Sequence, residues 1–587
     1  MKRCYSFFLA LLFSMAMMAQ EALNQYLFVY FPSNTDETIY YALSENGFDY
    51  TPMNDGRRVL SCDTVCLKKG LRDPHVLRTD DGWFLMVCTD MKSAEGWNSN
   101  RGIVLMKSRD LIHWQHSIIH FPEKYRGTTF ANVTRVWAPE TIYDPVAGKY
   151  MIYYSVLTND GIIRYDKVFY NYANEDFTDL EGEPTLLFDR GASTIDMDIV
   201  FHDGVYHAFY KNENDGGISK VTATQLTAPA GQEGSQWSKP SGKLQQTDVP
   251  VEGAGVFQLN DGKTWVLMYD CYTSGYYQFC TSTDLEHFTF KQNTYTSGAF
   301  TPRHGTVIPI SYSEVARLEK EFESRRQRET FNELMREVDY ASQLGVDVSQ
   351  FKELIDSSHQ LAIAEMEHII ENIKLAEYKH VTNCYSDDQT SLLGTWTSSN
   401  QTSRSGQHYD GTSSSSYWEQ RDGWGNTSWS MSMKQTVTLP AGNYMLKCAG
   451  RSASSAVVAK MAVDDASVSF PTKGDAGYGI DTSGQTNYSS TGEYANGGKG
   501  RGWEWRYLPF TLEENREVTI TLSASVNNAS EQWVSMTSFA LLREPETDAV
   551  KSVTTNTSSS EQGFDLSGRP MTRKHGIKIS KGKKFLR

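Results

Sequence analysis

Five polar residues recur along the first half of the 587-residue chain, each beside a run of strand-forming side chains. They are Asp73 in "RDPHVL", Glu140 in "WAPETIYD", Asp196 in "STIDMDIVF", Glu252 in "VEGAGVFQL" and His304 in "PRHGTVIPI". Their separations are 67, 56, 56 and 52 residues. Carboxylates gathered in one polar pocket repel one another, so one is expected to keep its proton near neutral pH while another stays ionised. Such a pair supplies the acid and the base that cleavage of a glycosidic bond requires. For an inverting reaction the two carboxyl groups stand roughly 6.5–9.5 Å apart, with a water between them. Pro74 removes a backbone donor beside Asp73, which places Asp73 at the start of a strand.

These groups need a scaffold that brings sequence-distant strands to one place. A unit of strand, glycine turn, aromatic strand and charged turn closes on Phe48, Trp114, Phe177, Trp237 and Phe288, at intervals of 66, 63, 60 and 51 residues. Five copies read as five small sheets stacked radially, because each sheet buries its faces only against its neighbours. Four of the polar motifs lead, about ten residues on, into "DDGWFLMV", "AGKYMIYYS", "HDGVYHAFY" and "DGKTWVLMY". The fifth does not, and "QYLFVYF" and "TIYYALS" near the N-terminus supply the missing strands. The expectation is a five-bladed β-propeller over residues 20–312, closed by pairing its first strands with its last, with the five polar residues at one mouth of the channel.

The remainder divides into three. Residues 313–382 carry apolar side chains at three- and four-residue steps, such as Val315, Leu318 and Phe322, and read as a helical spacer. Residues 383–545 alternate as strands do and read as a jelly-roll-like β-sandwich; its tryptophans, among them Trp418, Trp424, Trp429, Trp503, Trp505 and Trp533, suit either sugar stacking or core filling. Residues 546–587 are a polar linker and a basic tail. The fold class is therefore mainly β.

Composition narrows the partners. Lysine and arginine total 56 against 71 acidic residues, a net charge of −15, which argues against nucleic acid and suits a neutral substrate. Residues 1–19 have the basic start, apolar stretch and small-residue end of a secretory signal peptide. No later stretch is apolar enough to span a membrane as a helix. Seven cysteines remain after the leader, an odd number without metal-site spacing; Cys62 with Cys66 and Cys384 with Cys448 are open as disulfides or as buried thiols.

Taken together, "RDPHVLRTDDGWFL", "WAPETIYDPVAGKYMIYYS", "STIDMDIVFHDGVYHAFYKNE", "VEGAGVFQLNDGKTWVLMYD" and "TPRHGTVIPI" resemble glycoside hydrolase family 43, five-bladed propellers that release arabinose or xylose from plant polysaccharides. The resemblance implies Asp73 as general base, Glu252 as general acid and Asp196 as the residue that tunes the acid, with Asp198 the alternative. Asp196 is preferred because it precedes Tyr206 by the same ten residues that separate Glu140 from Tyr150. Ala254 stands where the family more often has proline, and "IDMDI" lacks the usual Asp-Pro. Glu140, in the family's Trp-Ala-Pro-acid position, is implied to contact substrate or support the site; Trp137 reads as an aromatic wall for a pentose or as blade packing, and Arg303 as a donor to sugar hydroxyls. His304 resembles a histidine on the channel axis, often near calcium; a hydrogen-bond donor closing the channel is the other reading. No cofactor is required, and a structural Ca2+ is the one metal the resemblance allows. The implied activity is that of an exported, inverting, exo-acting α-L-arabinofuranosidase, with a β-xylosidase or a catalytically inactive glycan-binding propeller as alternatives. The tail resembles sorting tails of exported Gram-negative glycan degraders, which places the protein in the periplasm, at the cell surface or outside the cell. Oligomeric state is left open.

Overall fold

The computed structural model describes residues 22–545, apart from 35, 63, 296–299, 358–360 and several stretches within 386–531, together with two short strands, Lys578–Ser580 and Lys583–Phe585. The expected signal peptide and most of the tail lie outside the described residues. So do Trp424 and Trp503.

The chain enters with β1 (Leu23–Tyr30), β2 (Tyr40–Ser44) and β3 (Thr51–Pro52). The first complete sheet is β4 (Leu71–Arg78), β5 (Phe84–Asp90), β6 (Gly102–Ser108) and β7 (Gln115–His120). The second is β8 (Val133–Asp144), β9 (Lys149–Thr158), β10 (Lys167–Ala173) and β11 (Leu180–Phe188). The third has three strands, β12 (Thr194–His202), β13 (Val205–Asn212) and β14 (Gly217–Ala223). Its fourth place is taken by an irregular run in which Ser238, Ser241 and Leu244 donate to carbonyls of β14. The fourth sheet is β15 (Glu252–Gln258), β16 (Trp265–Cys271), β17 (Tyr276–Ser282) and β18 (Thr289–Tyr295). The fifth opens with β19 (Gly305–Ser311), which pairs antiparallel with β1 and continues through β2 and β3. The ring therefore closes on its own N-terminal strands, which joins the first and last strands of the domain in one sheet.

Middle strands such as β5, "FLMVCTD", are buried along their whole length because neighbouring sheets cover both faces. The repeated turn seen in the sequence joins third strands to fourth. Ser108 Oγ accepts from Asp110 N and Leu111 N, and Ser282 Oγ accepts in the same way from Asp284 N and Leu285 N.

Three helices follow: α1 (Tyr312–Gln343), α2 (Ser349–Ser357) and α3 (Ile363–Cys384). A capping box of Ser311 and Glu314 starts α1. Val315, Leu318 and Phe322 pack into the propeller core beside Leu27 and Ile308. Further along α1, Leu334, Val338 and Ala341 pack with Met366, Ile370 and Ile373 of α3 and with Trp505, Tyr507 and Leu542 of the last domain. The helices are thus part of two cores. Among the described residues no helix is long and apolar enough to cross a membrane.

The last domain is two antiparallel sheets, one centred on Gly442–Ser452 and Trp533–Arg543, the other on Trp429–Leu439 and Arg516–Val526. Met433, Leu446, Ile520 and Met536 fill the space between them. Trp429 and Trp505 are buried and serve as core, which decides their two readings in favour of packing. None of the seven cysteines among the described residues is joined in a disulfide.

Candidate active site

The inner strands β4, β8, β12, β15 and β19 contact one another in a ring. Four of them share one irregularity. The register slips between Arg72 and His75, between Trp137 and Glu140, between Ile195 and Asp198, and between Glu252 and Gly255. In each bulge one residue adopts a positive φ: Asp73 (51°), Ala138 (45°), Asp196 (52°) and Gly253 (62°). A bulge re-aims its side chain away from the strand's regular face. Asp73 therefore lies inside β4, on a bulge, and not at a strand start.

Strand register also corrects the equivalence read from sequence. Glu140 matches His75 and Asp198, whereas Glu252 matches Arg72 and Trp137. The ten-residue interval that favoured Asp196 over Asp198 has no structural counterpart, since Glu140 pairs with Tyr153 and Asp198 with Phe209. What distinguishes Asp196 is its place: it occupies the same bulge position as Asp73.

The bulges interlock. Thr89 Oγ1 donates to Asp73 Oδ2 at 2.8 Å and accepts from Ala138 N at 2.9 Å. Asp196 Oδ2 accepts from Gly253 N at 3.0 Å. His304 Nδ1 stands between the two aspartates, 3.6 Å from Asp73 Oδ1 and 3.9 Å from Asp196 Oδ1. A Cβ on Gly253 would lie 2.8 Å from His304 Cγ, so only glycine fits there.

Glu252 carries two cations. Lys211 Nζ lies 3.1 Å from one carboxyl oxygen and Arg303 Nη2 lies 2.8 Å from the other. Arg303 is held in turn by Asp270, whose Oδ2 accepts from Nε at 2.5 Å. Burial works to raise the Glu252 pKa, but Lys211 and Arg303 outweigh it and hold the carboxyl below its ordinary value. Burial, aided by the charges of Glu252 and Asp73 and opposed by His304 and Lys211, pushes Asp196 up to about 6. Asp270 is likewise pushed by burial to about 6, against the pull of Arg303. Of the carboxyls at the mouth, Asp196 and Asp270 thus take up a proton most readily as pH falls, while Glu252 is held ionised.

Lys211 and Asp270 were not singled out by the sequence reading. Both sit on second strands, directly opposite the residue that precedes a bulge: Lys211 faces Ile195, Asp270 faces Glu252, and Thr89 faces Arg72 in the same way. A charged residue closing an apolar run, as in "AFYKN" and "VLMYDC", was the available signal.

Deeper in the channel, His75, Glu140 and Asp198 bring donor atoms within 4.8 Å of one another. Glu140, expected to touch substrate or to support the site, is buried, which favours the supporting role. It accepts from Tyr153 Oη at 3.0 Å and is hydrogen-bonded to Asp198, whose Oδ2 also accepts from Val256 N at 2.6 Å. Burial and then the Asp198 charge raise Glu140 well above the usual carboxylate range; burial takes Asp198 to about 6. These two carboxyls share a proton. Calcium prefers six to eight oxygen donors. Here two oxygens already bridged by a proton and one imidazole, His75, whose Nδ1 accepts from Thr141 N at 3.2 Å, do not suit it. His304 likewise points its Nδ1 at two carboxylates already in place. The donor set fits a proton network.

The rim is aromatic. Arg135 lies 4.2 Å from the ring centroid of half-buried Trp137, and Trp97 meets Trp137 edge-on with centroids 6.3 Å apart.

Residues 21–316 match a family 43-related model described as "Probable glycosyl hydrolase domain". The chain belongs to this glycosyl hydrolase family. The family match spans the propeller and the first residues of α1. An α-L-arabinofuranosidase of Bifidobacterium longum is 29% identical over 265 residues, 39% of this chain and 24% of that protein. The chain thus spans about a quarter of that relative's length. Among solved structures, an exo-β-1,3-galactanase of Phanerochaete chrysosporium with β-1,3-galactotriose is 10% identical, covering 80% of this chain and 95% of that one, with a TM-score of 0.31. A family 43 enzyme of Xanthomonas citri complexed with xylotriose is 13% identical, covering 40% and 76%, with a TM-score of 0.30. These likenesses are slight; the propeller follows from the strand pairing of the family 43 domain itself.

Proposed function

We propose that this family member is an exported, inverting, exo-acting glycosidase that releases L-arabinofuranose from side chains of plant cell-wall polysaccharide. The observation that carries the reading is the convergence of Asp73, Asp196 and Glu252, from three inner strands, around His304 at one end of the channel. Asp73 and Glu252 stand on strands that flank β19, each with its own partners, as separate acid and base demand.

In this reading Asp73 removes a proton from the water that attacks the anomeric carbon, and Glu252 protonates the departing oxygen from the other side of the sugar. A quarter of the Glu252 side chain is exposed, which lets it reach that oxygen. The acid must first take up a proton. A sugar hydroxyl that draws Arg303 away weakens the hold on the ionised form, and the neighbouring Asp196 charge favours protonation further. Trp137 and Arg303 form the wall of the sugar pocket. Both proton-transfer groups are side chains, so the reaction calls for no cofactor. The preference for arabinofuranose over xylose rests on the Bifidobacterium relative, and export rests on residues 1–19.

The test compares wild-type protein with Asp73→Asn and Glu252→Gln on arabinofuranosyl and xylosyl oligosaccharides, following the first-formed anomer by NMR. Release of arabinose with inverted configuration, and a loss of about 10²–10⁴-fold in either variant, is the expected result. Full activity in the variants refutes the assignment. Release of xylose alone makes the protein a β-xylosidase, and binding without cleavage makes it a glycan-binding propeller.

A further inference from the structure

Trp97 belongs to no core, yet it is firmly placed. It follows Gly96 (φ 98°) in the 91–101 segment between β5 and β6, and half of it is exposed. The segment is pinned on every side. Ser93 N donates to Glu37 Oε1 at 2.9 Å, and Lys68 pairs with Glu95 at 2.6 Å. Asn100 Nδ2 donates to the carbonyls of Asp90 and Gly102, while its Oδ1 accepts from Val136 N of the next sheet. Arg135 Nε donates to Asn98 Oδ1 at 2.9 Å. The segment thus holds Trp97 in place while half of the residue stays exposed.

Its surroundings say what kind. Trp97 and Trp137 meet at 80°, which makes an L-shaped corner. The Arg72 guanidinium stands 5.4 Å from the Trp97 centroid and is itself held by Phe31 and Glu37, so it covers part of the indole while half of the residue remains exposed. Trp137 sits immediately before its bulge, the position that Glu252 occupies on β15, and so borders the mouth. Its Nε1–H has no hydrogen-bond partner among the described residues. Trp97 lies outside Trp137 and borders what lies beyond the pocket. In an exo-acting site the released sugar fills the pocket and the rest of the chain leaves through the mouth.

We propose that Trp97, with Trp137, forms a stacking subsite for the sugar on the leaving-group side, a neutral pyranose whose C–H face lies on the exposed part of the Trp97 indole. The electron-rich ring face attracts those C–H groups as it attracts aromatic edges. The inference rests on the glycosidase reading above.

The test measures kcat/KM for wild type, Trp97→Ala and Trp97→Phe on two substrates. One is an arabinofuranosyl-pyranose oligosaccharide; the other is arabinofuranosyl fluoride, whose leaving group is a single atom. The ratio of oligosaccharide to fluoride kcat/KM falls about tenfold in Trp97→Ala, the size of one good aromatic stack, and recovers in Trp97→Phe. An unchanged ratio overturns the subsite, including the case where both substrates lose equally because the segment has shifted. Hydrolysis of the fluoride by wild type is the separate check on the glycosidase reading; if it is absent, that reading falls and the subsite with it.

Discussion

Replacing Lys211 with methionine removes one of the two cations on Glu252 while keeping an apolar stem of similar length. The ammonium lies 3.1 Å from Glu252 Oε2 and 2.9 Å from Glu213 Oε1, and 8% of the side chain is exposed. At an effective dielectric of about 20, charges this close interact by about 5 kcal/mol. Arg303 remains on the other oxygen, Glu213 shares the ammonium, and water reaches part of Glu252. These reduce the net effect on Glu252 to about 2 kcal/mol, between one and two pH units. The sign is definite. An acid must carry its proton, so kcat/KM declines as pH rises through the Glu252 pKa, and losing a cation raises that pKa. The alkaline decline of Lys211→Met therefore moves to higher pH, whereas Lys211→Arg, which keeps the charge, leaves it in place. The assay is the pH dependence of kcat/KM on an oligosaccharide with an alcohol leaving group, because nitrophenolate departs without protonation and hides the acid. A decline that stays put in Lys211→Met, or moves to lower pH, refutes the reasoning.

Two further changes probe the scaffold. Asp198 has its pKa raised to about 6 by burial. Its stabilising contribution is complete at acid pH and lost as pH rises through that value. Asp198→Asn removes the charge facing Glu140 while an amide oxygen still accepts from Val256 N. Calorimetry is expected to show the variant more stable than wild type at neutral pH, by on the order of 2 kcal/mol, with the gap closing towards pH ~4; a gap independent of pH contradicts the shared-proton account. Gly253→Ala puts a methyl 2.8 Å from His304 Cγ on a residue with φ of 62°. The expected cost is about 1–3 kcal/mol in denaturant unfolding, with lower kcat because Gly253 N shifts from Asp196; wild-type stability there would show that the bulge is not constrained.

The five blades were legible because they repeat local signals: a strand, a glycine turn, an aromatic strand and a charged turn closing on an aromatic, all set by residues within a few positions of one another. Closure through β1 and β19 was legible too, since the last repeat lacks strands that the first residues supply. The bulges were not. Asp73, Ala138, Asp196 and Gly253 share a conformation, yet they are two aspartates, an alanine and a glycine, so no single residue type marks the bulge; Glu140 and Glu252 lined up by sequence interval, and strand register separates them. Lys211 and Asp270 were hidden for a related reason, because their roles come from facing a bulge across a strand pair.

From its sequence alone this protein is a ring of β-sheets with acidic residues at the inner strands, because periodicity and turn chemistry act over short stretches of chain. Which carboxyl is ionised and which holds a proton was decided only by the tertiary structure. A carboxyl's proton affinity depends on burial and on charges a few ångströms away, and Glu252 meets Lys211 and Arg303 only when blades from distant parts of the chain close into one ring.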